Sequence, residues 1–210
     1  AQGRSWDFLM KKDRVRAREQ IEREKPFLLV GSPPCIYYST LTQSNYSRMD
    51  PLKLARRKAE AKVLLHFAMQ IYELHVRAGR HFLHEHPQSA SSWQDSRMKK
   101  MLAHPRVNTV VAHLCQYGMK TVGDDGLWQP AKKATRFASS AEEVLRMLDR
   151  KCDGAHVHRH LTQGHAKHAA VYPPELCRAI LKGIEQQRIR EGCKRPSHAE
   201  KRVERGRGIY

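Results

Sequence analysis

Between Phe27 and Cys35 the chain reads FLLVGSPPC, an apolar run that stops at a glycine and leaves through two prolines. Phe27 to Val30 suit a buried strand of a parallel sheet, because four consecutive apolar residues bounded by Lys25-Pro26 and Gly31 have neither length nor period for a helix. Pro33 and Pro34 lack backbone donors and have fixed φ, so the chain must leave the sheet along a stiff path. Cys35 is then presented on a rigid loop at the carboxyl end of a strand, where open α/β sheets bind ligands.

The next two elements set the fold class. Asp50-Pro51 can cap and open a long helix, with proline tolerated in the first turn. Its expected core face is Leu54, Val63, Leu64, Leu65, Phe67, Ala68, Ile71 and Leu74, and Gly79 ends it. RHFLHEHP then makes a short strand closed by Pro87. Strand, helix, strand is the grammar of a parallel α/β sheet.

A second round brings a short helical stretch over residues 96–104, a strand in VNTVVAHLCQYG, a loop over 119–133, a strand in ATRFASS and a helix from Ser140 to about Lys151. Upstream, KKDRVRAREQIERE reads as a mostly exposed helix. Pro173-Pro174 open a last amphipathic helix through Leu176, Ile180 and Ile184. The expected organisation is an α/β core over 1–150, a His-rich segment with the final helix over 151–187, and a basic tail over 188–210.

The formal charge of +18 on 210 residues, with 13 histidines in reserve, makes nucleic acid the first partner to consider; a basic surface without a specific polyanion is the alternative. Five widely spaced cysteines without a CxxC pair point to a reducing intracellular compartment, nuclear or organellar. No run is long enough to span a bilayer and residues 1–4 do not open a signal peptide, so no membrane partner is expected. Cys152, His156 and His158, spaced C-x3-H-x-H, are candidate zinc ligands, with Cys115 or Cys177 as completion; a histidine-rich loop on phosphate or in solvent is the rival reading. Trp93 and Trp128 read as packing residues.

GSPPCIYYS resembles the proline-cysteine motif of DNA cytosine-5 methyltransferases, and FLHEHP, one helix downstream, resembles the strand end where that family carries a glutamate. HLCQYGM is similar to the family's tyrosine-glycine segment. Together SPPC, FxxEHP, QYG, KKATRF, CxGxHxH and YPPELCRAI look like the divergent methyltransferase-like domains of retroelement and viral polyproteins in protists and algae.

The resemblance implies a partial Rossmann-like methyltransferase sheet with flanking helices and an irregular His-rich segment. It implies Cys35 as nucleophile, Glu85 as the cytosine-contacting carboxyl group, and Arg136 as a pocket residue whose spacing departs from the family pattern. It also implies S-adenosylmethionine, with Asp7, Gly31, Ser32 and Pro33 as the residues left to border it. The family's glycine-rich cofactor loop and ribose-binding acid are not found. A cofactor half upstream, one supplied in trans, and one that has been lost stay open. The rival function is a non-catalytic basic structural or RNA-binding component of a larger nucleoprotein assembly, and DNA and RNA are not distinguished.

Overall fold

A computed structural model of the chain describes residues 5–43, 45–122, 125–159, 161 and 171–193. Helix α1 (Lys11–Glu24) leads into strand β1 (Leu28–Gly31). After the short α2 (Thr40–Gln43), the Asp50 carboxylate accepts from the Lys53 amide at 2.7 Å and Pro51 occupies the first turn, opening α3 (Pro51–Arg77). Gly79 then takes φ +76°, a left-handed conformation open to glycine at no steric cost, and the chain turns into β2 (His81–Pro87). β1 and β2 pair in parallel from Leu28↔His81 to Gly31↔His84, so the expected strand, helix, strand unit is present.

The sheet is not the parallel one expected. After α4 (Ser96–Leu102) and β3 (Asn108–His113), the chain makes a small hairpin, β4 (Lys120–Val122) and β5 (Trp128–Pro130), inside the segment expected to be a loop. β6 (Ala134–Ser139) then inserts antiparallel between β2 and β3, giving the order β1-β2-β6-β3. The result is a mixed α/β sheet of four strands. β1 is an edge among the described residues, which is why Val30 is 51% exposed rather than buried.

Adjacent strand residues point to opposite faces, and each face is covered by helices. Phe82 and Ala138 pack with Leu65, Met69, Tyr72 and Val76 of α3 and with Met98 of α4. Leu83 and Phe137 face the other way, onto Val144, Leu145 and Leu148 of α5 (Glu142–Leu148) and Leu176 and Ile180 of α6 (Pro174–Arg190). Phe82 is fully buried, and truncating such a residue to alanine costs about 3–5 kcal/mol. Contact between α5 and α6 requires Gly183, where a Cβ would lie 2.6 Å from the Val144 Cα.

Two packing expectations are corrected. Val63 and Leu74 of α3 are 40% and 37% exposed, while Tyr72, His75 and Val76 are buried. Trp93 is a core residue donating its indole N–H to the Pro87 carbonyl at 2.8 Å, but Trp128 is exposed. The basic tail begins as helix, since α6 continues to Arg190; residues 194–210 lie outside the described residues. Among the described residues no helix is long and apolar enough to cross a membrane.

Candidate functional site: a cysteine-glutamate cleft beside a metal-ligand cluster

Parallel pairing of β1 and β2 brings their carboxyl ends together, and with them Cys35 and Glu85. Gly31 pairs with His84, so Ser32 emerges beside Glu85 and its hydroxyl donates to Oε2 at 2.5 Å. Gly31 itself lies against α3: a Cβ there would fall 1.8 Å from the Tyr72 hydroxyl. The di-proline exit is held by His86, whose Nε2 lies 2.8 Å from the Pro33 carbonyl and whose Nδ1 lies 2.6 Å from the Ser92 hydroxyl. Burial lowers the His86 pKa, so the ring is neutral: Nε2–H donates to Pro33 and Nδ1 accepts from Ser92.

Beyond Cys35 the chain turns back on itself, with the Tyr38 and Ser39 amides both donating to the Cys35 carbonyl at 2.9 Å. The Ser91 amide donates to the Tyr38 carbonyl at 2.8 Å and fixes the loop to the end of β2. Rigid presentation of Cys35 follows from these bonds as well as from the prolines.

The resulting cleft has a volume of about 870 Å³, with Cys35 and Glu85 both in its lining. The antiparallel β6 starts at the same end as β2 finishes, so Lys132 and Lys133 form part of the wall. The Lys133 ammonium stands 4.0 Å from Glu85 Oε1, an oxygen with no hydrogen bond among the described residues. Tyr172 also lines the cleft, and burial together with Glu85 raises its phenol pKa. The Cys35 thiol is half-buried; burial and then the Glu85 charge push its pKa up, with Lys133 pulling it down. The thiol is therefore protonated at neutral pH in the free cleft.

Arg136 does not join this site. Its guanidinium stacks 4.6 Å over the Trp93 ring and donates to the Thr109 hydroxyl at 3.2 Å, and the cations in the cleft wall are Lys132, Lys133 and Arg159 instead. Asp7 is likewise elsewhere: it is exposed and its carboxylate accepts from the Leu9 amide at 2.9 Å in a local turn. A second, largely apolar groove of about 420 Å³ is bordered by Phe8, Phe67 and the Gly31–Pro34 exit. It takes in Gly31, Ser32 and Pro33 but not Asp7, and its lining contains no acidic residue to hold a ribose. With the Tyr72 hydroxyl against Gly31, the described residues do not fit S-adenosylmethionine.

A separate cluster lies beside the cleft. Cys115, in the turn after β3, meets Cys152, His156 and His158 from the segment after α5, and the four ligand atoms all fall within 4.8 Å of one another. Cys152 Sγ is 3.7 Å from His156 Nε2 and 3.3 Å from His158 Nε2, which is 3.4 Å from Cys115 Sγ. The Cys152 amide donates to His113 Nδ1 at 2.9 Å and the Gly154 amide to Cys152 Sγ at 3.3 Å, so the loop is wrapped around its own sulfur. Burial and the neighbouring Cys152 push the Cys115 thiol up to about 11. These residues could hold a metal ion. Cys177, the other candidate for completing the set, is exposed on α6 and takes no part.

Sequence reasoning did not single out Lys132, Arg159 or Tyr172. Their approach to Cys35 depends on the antiparallel insertion of β6 and on the path of the loop after α5, neither of which has a local signature. No known protein family, curated protein or solved structure matches the chain.

Proposed function

We propose that the cleft is a cytosine-binding site in a nucleic-acid-binding domain derived from the DNA cytosine-5 methyltransferases. The observation that carries this reading is the convergence of Cys35 and Glu85, from two strand ends, on one cleft walled by Lys132, Lys133 and Arg159. A base must leave its stack to reach such a site, and the cations are placed to hold the flanking phosphates.

Cytosine is a poor carbon nucleophile until something adds at C6. Once the Cys35 proton has passed to solvent, the thiolate forms an S–C6 bond and the C5=C6 electron pair shifts toward C5 and N3. Glu85 Oε1 is the open acceptor for the exocyclic amine, and a proton taken up from solvent with the base and held by the carboxyl group is donated to N3, neutralises the charge developing there and is released when the thiolate leaves. C5 then takes a proton from water. Loss of the original C5 proton and expulsion of the thiolate restore the aromatic ring. The balanced result is exchange of the C5 hydrogen with solvent; methyl transfer is not part of it, because the described residues do not fit the methyl donor.

A second reading, a non-catalytic component of a larger nucleoprotein assembly, is favoured by the protonated state of Cys35 and by that lack of fit. Both readings place nucleic acid on the Lys132–Lys133 wall. They part on the base.

The metal-ligand cluster takes zinc on this account. Two sulfur and two imidazole donors are the set of structural zinc sites, and a tetrahedron with Zn–S near 2.3 Å and Zn–N near 2.0 Å has edges of roughly 3.3–3.8 Å. The three separations of 3.3, 3.4 and 3.7 Å lie in that range.

Fluorescence titration with duplexes carrying a mismatched or a paired cytosine tests the base site. Tighter binding of the mismatched cytosine, abolished by Glu85→Ala, is expected, because a mismatch lowers the cost of extruding the base and alanine removes the acceptor for the exocyclic amine. Equal affinity for every duplex, unmoved by that substitution, would remove the cytosine site and leave backbone binding alone.

A further inference from the structure

The metal-ligand cluster and the cleft share a segment. His158 supplies a ligand atom to the cluster and also lines the cleft, and the next residue, Arg159, is a cation of the cleft wall. Cys115 comes from the turn after β3 and the other three ligands from the segment after α5, so a bound ion would tie two connections together. Between them runs the chain entering β6: the Leu114 amide donates to the Lys133 carbonyl at 3.1 Å, one residue from Cys115. Arg159 is thus one peptide from a ligand of the cluster, and Lys133 is one hydrogen bond and one peptide from another.

Other restraints on this wall are few. The Arg159 amide donates to the Pro130 carbonyl at 2.9 Å and its guanidinium to Asp125 at 2.6 Å, but Pro130 and Asp125 belong to the small hairpin region, whose strands are three residues each. Residues 151–159 contain no helix or strand. An irregular segment with so little backbone pairing has few ways to hold an arginine at a fixed place over a cleft. Four-point coordination supplies one.

Resting on the zinc reading above, we propose that the ion at Cys115, Cys152, His156 and His158 is a clasp that sets the His158–Arg159 wall, so that metal loading controls nucleic-acid affinity at the cleft. The ion takes no part in the chemistry at Cys35; it positions Arg159 against a phosphate and holds Lys133 near Glu85.

Three readouts on the full chain separate the possibilities. Metal content by mass spectrometry should be one zinc per chain, and cobalt substitution should give the visible absorption of a tetrahedral thiolate site. Chelation should then weaken binding of a fluorescent oligonucleotide at least tenfold and raise hydrogen exchange over residues 151–159, with α3 and β2 still protected; zinc should restore both. Arg159→Gln should keep the metal and lose affinity. A folded chain that binds neither zinc nor cobalt overturns the zinc reading. Stoichiometric metal whose removal changes neither affinity nor exchange overturns the clasp while leaving zinc in place. If no oligonucleotide binds the loaded chain, the cleft assignment fails, and unchanged exchange on chelation would still dispose of the clasp independently. Should Cys152→Ala misfold, chelation of the wild-type chain carries the same comparison.

Discussion

Cys35 and Cys115 are both partly buried thiols with raised pKa, yet their surroundings suit them to different chemistry. Cys35 faces a carboxylate and a lysine across an open cleft and belongs to no cluster of metal-ligating side chains among the described residues. Cys115 and Cys152 face each other and two imidazoles at ligand spacing. A thiol opposite a carboxylate and a cation can attack a substrate; a thiol in a ring of four soft donors binds an ion. Neighbours assign the role more than burial does.

The largest expected difference between the two regions is in stability. Cys152→Ala should abolish metal binding and lower stability by about 3 kcal/mol or more, roughly 10 °C in melting temperature for a domain of this size, whereas Cys35→Ser should melt with the wild type. Thermal melts of both variants, loaded and chelated, check this. A Cys35 variant that melts as low as Cys152→Ala would make Cys35 a packing residue.

Next in size is the effect of Glu85 on the Cys35 thiol. Its negative charge raises that pKa, so Glu85→Gln should lower it and speed iodoacetamide alkylation of Cys35 several-fold at pH 8, while the wild-type rate keeps rising with pH beyond the ordinary thiol range. Cys115 and Cys152 in the loaded chain should alkylate slowly at every pH. Peptide mapping by mass spectrometry separates the sites, and no change at Cys35 would mean the two groups do not sense each other.

The Cys35–Glu85 pairing was legible in the sequence through the resemblance of SPPC and FLHEHP to two motifs of one family, and because both lie toward the carboxyl ends of strands in one strand, helix, strand unit, which parallel pairing aligns. The sheet beyond it was not. ATRFASS has no local feature to specify direction, and its antiparallel insertion is what carries Lys133 to the cleft and leaves Arg136 against Trp93. The face of α3 was misjudged because the helix is buried on two sides: Phe67 and Ile71 meet Ala17 of α1, while Leu65, Met69, Tyr72 and Val76 meet the sheet. No single stripe at helical period describes that helix. The metal cluster was half legible, since C-x3-H-x-H is local whereas Cys115 is brought in by the end of β3.

A smaller effect is expected at Lys133. Lys133→Gln should slow Cys35 alkylation, because the ammonium lowers the thiol pKa, and should weaken oligonucleotide binding several-fold with a salt slope reduced by about one. Titrations at several salt concentrations check this, and an unchanged slope would place the phosphate backbone elsewhere.

The smallest is a control. Gly183→Ala forces a Cβ against the α5 backbone and should cost about 1–3 kcal/mol without changing Cys35 reactivity, since α5 and α6 pack on the sheet rather than on the thiol. Melting and alkylation together check it.

The most direct measurement is hydrogen exchange at C5 of cytosine in deuterated buffer, followed by mass spectrometry of an oligonucleotide incubated with the loaded chain. Deuterium should enter at C5 with the wild type and fall to the uncatalysed level with Cys35→Ser and Glu85→Gln. An oligonucleotide that binds in the cleft but gains no deuterium above that level would contradict Cys35 as a nucleophile toward cytosine and leave a binding domain in its place.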